Sequence, residues 1–563
     1  MTSGATIYHT IGRHRIWASM ILCLLGLCMA LPAQAQRRGR VQDERIYLDH
    51  ADSLYYDEFQ RHDTQVVRGH VKFRHRGSVL YCDSAYFKQQ ENTFQAFGHV
   101  RLLQGDTLEV RCDTAFYDGR ADADMVHAQH HVVVVHRKTS ELHTDNLILD
   151  QKFNIVYYDE GGNFTDRAKG LTLSSDWGKY NLDTKEAEFF YKVKLRTKTH
   201  VITTDTLYYY SQDERAHVKG GKTEINNGQR KWTKSTIHSI RDGYDVETTN
   251  CVYFMKTDQV ELYDNSSIQN DIRTITGDSL YYDSSSKISR GYGRVNYEDR
   301  KNKNRLTADA VDYDEKSGSG MATKNPVYID YSQQDTLYLH ADTIRVETFN
   351  LDTDSLYRKV HCYHRVRMFR NDVQAVCDSM VINSLDSTIT LYFDPIAWNA
   401  NRQLLGDSIK VFLNDSTVRE VNVMQNALSL ERMTDPKNPD KVYYNQVTSK
   451  LMNAYFIDGN IHMSEAIGNV VAIYYPIEES DSSIIGMVYV ESDTMRMYIG
   501  KQRQLEKIWT SKAEGVMYPM NQIPSGKDFL PNFGWYDYIR PVDKDDIYYI
   551  EEKHKKKPKP MMQ

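Results

Sequence analysis

Two strings in this 563-residue chain invite catalysis or metal binding. Gly277-Asp278-Ser279-Leu280 has the form of a serine-esterase signature, whose serine would need a base and an oxyanion hole. His127-Ala128-Gln129-His130-His131 offers three imidazoles. Context removes both readings. The first string is one copy of a recurring small-Asp-Ser/Thr pattern, as is Gly406-Asp407-Ser408-Ile409, and Gly105-Asp106-Thr107-Leu108 has the same look outside the register. The histidine run leads into Val132–Val135, a strand pattern. If it is extended from His127 to His131, those two side chains share a face but stand about 13 Å apart, too far to share an ion. Beyond residue 35 five cysteines remain, Cys82, Cys112, Cys251, Cys362 and Cys377, an odd number that makes no disulfide framework. Three of them, Cys82, Cys112 and Cys377, fill the small position of the repeat and read as buried residues. No phosphate-binding, dinucleotide-binding or catalytic-triad pattern is present. No catalytic residue, metal site or cofactor is therefore expected.

The elements that carry these strings are repeats. Ala51-Asp52-Ser53-Leu54-Tyr55-Tyr56, Cys82-Asp83-Ser84-Ala85-Tyr86-Phe87 and Cys112-Asp113-Thr114-Ala115-Phe116-Tyr117 open a series that continues at Asp145, Asp176, Asp205, Asp278, Asp309, Asp342, Asp378, Asp407 and Asp493. Most steps are 29–36 residues; gaps of 73 and 86 leave room for degenerate copies. A Gly-x-Val element precedes several copies, at Gly69-His70-Val71, Gly98-His99-Val100, Gly293-Arg294-Val295 and Gly468-Asn469-Val470. Apolar residues alternate after it, as in Val71/Phe73 and Val100/Leu102, which predicts strands. Within the Asp motif the alternate positions are apolar: Leu147/Leu149, Leu207/Tyr209, Leu280/Tyr282 and Ile344/Val346. The position between is often polar, as at Lys179, Asp312, Arg345, Lys410 and Arg496. One face is dry and one wet. The motif Asp shares the parity of the dry face, so it is expected at a strand start or bend, with its carboxylate bonded to backbone N–H groups.

Composition agrees with a β architecture. There are 40 tyrosines, which favour strands, and aromatic residues make up 11 %, too many for a disordered coil. Lys and Arg number 70 against 76 Asp and Glu, so no basic excess points to nucleic acid. Arg13 and Arg15, an apolar run from Ile16 to Leu31 and Ala33-Gln34-Ala35 predict a signal peptide over residues 1–35. Its removal takes two arginines and no acid, moving the net charge from -6 to about -8. Cys28 follows Leu27 rather than a small residue, so no lipid anchor is expected. A transmembrane barrel would also alternate, but the apolar band is narrow and the strands carry abundant charge. From about Lys507 the repeat fades into a Pro-containing segment and a basic tail around Lys555-Lys556-Lys557.

Repeated ~30-residue β units that pair Gly-x-Val with small-Asp-x-apolar-x-Tyr behind a signal peptide resemble the OstA/LptA-like family of lipopolysaccharide-transport proteins. The resemblance is strongest from Val66 to Asp118 and weaker over about residues 43–500. On the chain itself the repeated region is expected over residues 36–506, with two sub-domains meeting near 215–270, and a Pro-containing cap and basic tail over 507–563. The resemblance implies an all-β, elongated β-jellyroll slab of V-shaped antiparallel strands. It further implies a non-enzymatic periplasmic protein, in places associated with the outer membrane, whose apolar groove holds acyl chains of lipopolysaccharide or a related lipid. Val71, Phe73, Val100, Leu102, Leu147, Leu149, Leu207, Tyr209, Leu280, Tyr282, Ile344 and Val346 are the groove candidates. Partners are expected to be that lipid and other envelope transport proteins joined by edge-strand addition, with the N-terminal edge docking. The chain has far more repeats than the short bridge protein of that family and no evident barrel. The competing readings are an exported structural or adhesive β scaffold with a closed core and a carbohydrate-binding or carbohydrate-cleaving solenoid.

Overall fold

A computed structural model describes residues 45–56, 63–226, 229–414, 417–478, 480–500 and 505–548. The expected signal peptide and basic tail lie outside them. Among the described residues the protein is all β, with thirty-nine strands and one 3₁₀ turn at Asp537–Ile539, as the repeat predicts. It divides into two compact units, Met1–Val156 and Tyr157–Gln563.

The first unit is a meander. Strands β1 (Tyr47–His50) and β2 (Ser53–Tyr56) both pair with β3 (Gln65–His75). After it, β4 (Ser78–Lys88), β5 (Thr93–Gln104), β6 (Leu108–Asp118), β7 (Met125–His136) and β8 (Ser140–Asp150) each pair antiparallel with the one before. Every long strand breaks register once. Between β3 and β4, Arg68 pairs with Ser84 and Val71 with Cys82, so Gly69 and His70 oppose the single residue Asp83. Such a two-against-one bulge bends the strand. Both bulge residues are left-handed, with φ 82° at Gly69 and 45° at His70. The bend folds the two halves of each strand over a shared interior: the ring of Phe73, on one side of the bend, stacks 4.2 Å from Phe94 on the other. We call the halves leaves.

The second unit repeats this device with other residues. Left-handed pairs fall at Tyr191-Lys192, Asp264-Asn265, Gly293-Arg294, Lys324-Asn325, His364-Arg365, Phe393-Asp394, Gln425-Asn426 and Gly468-Asn469. Gly-x-Val is thus one spelling of a two-residue left-handed step. Glycine enters this region freely, and Asn, Asp and His enter it more readily than most residues.

Both long gaps in the Asp series hold one degenerate copy. In the first, strands Asp245–Thr248 and Asn250–Phe254 form the copy, with Thr249 between them where the Asp would stand. A hairpin, Gly221–Asn226 against the first half of Gln229–Ser239, adds the remaining length. In the second, Lys450 takes the Asp place: its Cβ lies 3.1 Å from where a Cβ on Gly468 would stand, the contact that Asp makes elsewhere.

Strands continue to Glu514–Pro519, beyond the point where the repeat fades in the sequence. The chain then turns back as a strap over one leaf of the second unit. Its backbone is held by buried amides: Gln446 Nε2 donates to Asp528 O at 2.8 Å, Gln403 Nε2 to Gly534 O at 2.7 Å, and Gln403 Oε1 accepts from Tyr536 N at 2.8 Å. Farther on, Arg540 bonds Gln374, and Arg367, buried, donates to Asp546 O. The strap covers Val376, Ile396 and Trp398, which point away from the interior that Ala375 and Cys377 help to fill.

Candidate functional site

The interior between the leaves is where the sequence places its dry face. Ten of the twelve groove candidates are buried: Val71, Phe73, Val100, Leu102, Leu147, Leu149, Leu207, Tyr209, Leu280 and Ile344. Tyr282 and Val346 are half-buried. Among the intervening polar positions, Arg345 is exposed and Lys179, Asp312, Lys410 and Arg496 are half-buried, so the alternation maps onto inner and outer faces. In the second unit Leu207, Tyr209 and Leu280 belong to one apolar cluster with Val193, Leu195, Ile202 and Leu262. Ile344 belongs to another with Cys362, Met380, Ile409 and Met452.

Side chains fill this interior. In the first unit, the cavity lined by Phe73, Leu80, Phe94, Leu102 and Tyr117 has a volume of about 10 Å³. That is room for no more than about one water. Phe94 also stacks at 4.9 Å on Tyr117, its partner on the same leaf, so the Phe73–Phe94 contact between leaves is extended along one of them. A much larger open depression, about 800 Å³, is lined by Asp63, Lys88, Glu91, Phe116, Asp118 and Arg120. Its charged walls do not suit acyl chains.

Polar latches close the mouth of the sandwich, where strand ends remote from the bend meet. Tyr117 Oη donates to Gln151 Oε1 at 2.7 Å and lies 2.9 Å from His75 Nδ1 on the facing leaf. Gln151 in turn donates to Ser78 Oγ, and Arg76 pairs with Asp124 at 3.0 Å. In the second unit Lys169 Nζ donates to Tyr209 Oη at 3.1 Å, and Tyr253 Oη lies 3.2 Å from His200 Nδ1 and donates to Asp258. Each of these phenols stands four residues beyond the Asp place, the aromatic position of the motif. Burial pushes the Tyr253 hydroxyl up to about 12 and raises those of Tyr117 and Tyr209, so all three remain donors. The ring supplies core and the hydroxyl a latch, which accounts for part of the tyrosine excess. The leaf-to-leaf partners His75, Lys169 and His200 carry no motif, and sequence reasoning did not find them.

The motif Asp residues stand at the bends, as expected, but mostly bond side chains rather than backbone. Asp52 meets His70 at 2.9 Å, Asp83 meets His99 at 2.7 Å and Asp113 meets His131 at 2.7 Å. Lys192, Arg294 and Arg365 pair with Asp176, Asp278 and Asp342 in the same way. A backbone N–H does reach Asp145 from His131 at 3.1 Å. Ser279 stands beside Asp278 with Tyr263 and Tyr292 opposite it, and Arg294 occupies the carboxylate. The histidine run is not extended: His130 and His131 form a left-handed step, His127 bonds Asn146, and His131 is taken by Asp113. Among the described residues no group of three or more potential ligands could hold a metal ion. All five cysteines described are buried and unpaired.

Fold and interior together define a class: sandwiches of repeated bent strands around a dry centre. Residues 43–205, under a third of the chain, match the model of the family described as OstA-like protein, in agreement with the resemblance read from the repeat. Compared with curated proteins, the chain matches none.

Proposed function

We propose that this protein is a non-enzymatic, exported carrier of acylated lipid, of the lipopolysaccharide kind, acting in the periplasm in outer-membrane biogenesis. The observation that supports it is an inner face of alternate apolar side chains in each unit, gathered in the second unit into separate clusters, in a chain whose first repeats match the OstA-like family. Each CH₂ moved from water to such an interior is worth about 0.8 kcal/mol, so a lipid with several acyl chains has reason to enter. Because side chains fill the interior, acyl chains enter by parting the leaves and replacing contacts such as Phe73–Phe94. The same tight packing favours the second reading, an exported scaffold with a closed core.

Cross-linking separates the two. A photo-reactive residue at Leu207 or Tyr209 captures lipopolysaccharide in cells if the interior carries lipid, and one at Arg345 does not. Equal labelling from both faces, or none from the interior, leaves the scaffold. We also propose that the N-terminal edge docks an envelope partner by strand addition. β1 and β2 pair only with β3 among the described residues, and Leu54, Tyr55 and Tyr56 are each more than half exposed. Leu54→Pro would weaken partner binding and leave distant repeats folded. Normal binding by that variant, with loss on deleting the chain after Lys507, reverses the polarity.

A further inference from the structure

We propose that the hairpin Gly221–Asn226/Gln229–Lys234 is a membrane-contact element that docks on the surface of an anionic phospholipid bilayer. The strand halves Arg215–Lys219 and Ser235–Ser239 occupy one rung of the sandwich, pairing with the two halves of His200–Tyr210. The hairpin is inserted between them, at the bend, and its strands form a sheet of their own. It is fastened at its base: Asp205 accepts from Thr223 N, and Lys234 Nζ donates to Asn265 O. Nothing among the described residues covers its outer part.

Register sorts its side chains. Thr223 faces Trp232 and Ile225 faces Arg230, so Ile225 and Trp232 are diagonal neighbours on one face with Arg230 beside them. Trp232 is 61 % and Ile225 66 % exposed. No other tryptophan among the described residues is so exposed. Lys222, Arg230, Lys231 and Lys234 stand against the single acid Glu224, a local net charge of +3 in a chain of net charge -6. Glu224 pairs with Lys222 at 2.9 Å. Arg230 and Lys231 form no salt bridge among the described residues. At the base Asp205 is already bonded to the hairpin backbone, Glu247 pairs opposite Thr236, and Asp264 precedes the Asn265 carbonyl that takes Lys234.

An exposed indole and an aliphatic side chain with Arg230 beside them on one face, and Lys222 and Lys231 on the other face of the same two strands, match the boundary of an anionic bilayer. There the ring sits at headgroup depth and the cations meet phosphates. The charge complementarity is local, since the chain as a whole is acidic and would be repelled. This surface is distinct from the interior, so vesicle binding tests the hairpin and cross-linking tests the carrier, and either can fail alone.

The test is flotation of the mature chain with vesicles of phosphatidylcholine alone or mixed with phosphatidylglycerol, at low and high salt. The basic tail is common to all variants. Binding to the mixed vesicles is expected, weakened by salt, with partitioning reduced on the order of tenfold in Arg230→Glu/Lys231→Glu. A smaller loss is expected in Trp232→Ser, and none in the control Lys138→Glu/Lys301→Glu, which reverses as many exposed charges elsewhere. Wild-type binding equal to the hairpin variants, equal loss in the control, or no binding to anionic vesicles each overturns the proposal.

Discussion

The carboxylate of Asp83 lies 2.7 Å from Nδ1 of His99, and its Oδ2 occupies the space that a Cβ on Gly98 would need. Two motifs that are separate in the sequence therefore meet at one bend. The Asp of one strand rests on the glycine of the next, and the residue after that glycine pairs with it. Asp52 on Gly69 and Asp278 on Gly293 repeat the contact. The repeat is the signature of a strand that must bend at a fixed point.

Gly98→Ala tests this directly. It places a methyl against Asp83 at a residue with φ 74°. A left-handed non-glycine residue costs on the order of 1–3 kcal/mol, and the collision adds to it. Gly77→Ala, also left-handed but with open space around it, separates the two costs. Denaturant unfolding should show the larger loss for Gly98→Ala; equal losses would deny the Asp contact any part.

The exposed bend histidines make a pH prediction. At His70, His99 and His131 the hydrogen bond to Asp52, Asp83 or Asp113, and then its charge, raise the imidazole pKa above its ordinary 6.5. The folded state holds the proton more tightly than the unfolded. The contribution to stability is therefore full below 6.5 and is lost as pH rises through the raised folded value. His200, whose pKa burial lowers, acts in the opposite sense, contributing above 6.5 and losing that contribution as pH falls. In an NMR titration the midpoint of His99 should fall toward 6.5 in Asp83→Asn. An unchanged midpoint would assign the shift to something else.

Much of this architecture was legible because it is periodic. The dry face from Val71 to Ile344 follows from alternation, and the bend follows from an Asp at the wrong parity. What escaped was aperiodic or chemically disguised. Tyr191-Lys192 makes the same left-handed step as Gly98-His99, but no residue type announces it, because neighbouring strands impose the backbone. The latch of His75 on Tyr117 joins residues 42 apart that only the fold over the bend brings together. From the sequence the strap reads as a Pro-containing segment outside the repeat. Its docking on Gln374, Gln403 and Gln446 depends on buried amides that look like surface residues in the sequence.

The apolar interior predicts a steep cost for truncation. Leu207 is fully buried in the cluster with Val193, Ile202 and Leu262. Leu207→Ala should cost about 2–5 kcal/mol, the range for a buried leucine. Arg345→Ala, exposed on the outer face, should cost far less. A Leu207→Ala protein as stable as Arg345→Ala would mean that the leaves are not packed together in solution.

The buried thiols should be inert. Burial pushes Cys82, Cys112 and Cys362 up to about 12 and raises Cys251 and Cys377 as well, so hardly any thiolate exists near neutral pH. A maleimide should label none of the five in the native mature protein and all five in denaturant. Rapid native labelling at Cys82 would show that the first unit opens at its bend.

The strap depends most on Gln403. Its amide is 1 % exposed and makes three bonds: Nε2 to Gly534 O, and Oε1 from Tyr536 N and from Trp398 Nε1 at 3.0 Å. Gln403→Ala strands a carbonyl and two N–H donors in a site shared with Trp398, and each group left without a partner costs about 1–3 kcal/mol unless water reaches it. The cheapest relief is for the strap to lift around Gly534, between its flanking anchors, Asp528 O on Gln446 and Arg540 on Gln374 and Ala400 O. Proteolysis between Met520 and Tyr548 should therefore quicken, and the amide of Tyr536 should exchange faster, while strands of the first unit keep their protection. Lifting also wets Trp398, which should shift its emission to the red. Gln95→Ala, an exposed glutamine in the first unit, serves as the control. If cleavage and exchange in the Gln403→Ala strap match the control, the strap is held by its apolar contacts at Leu530, Tyr536 and Ile539 rather than by the buried amide.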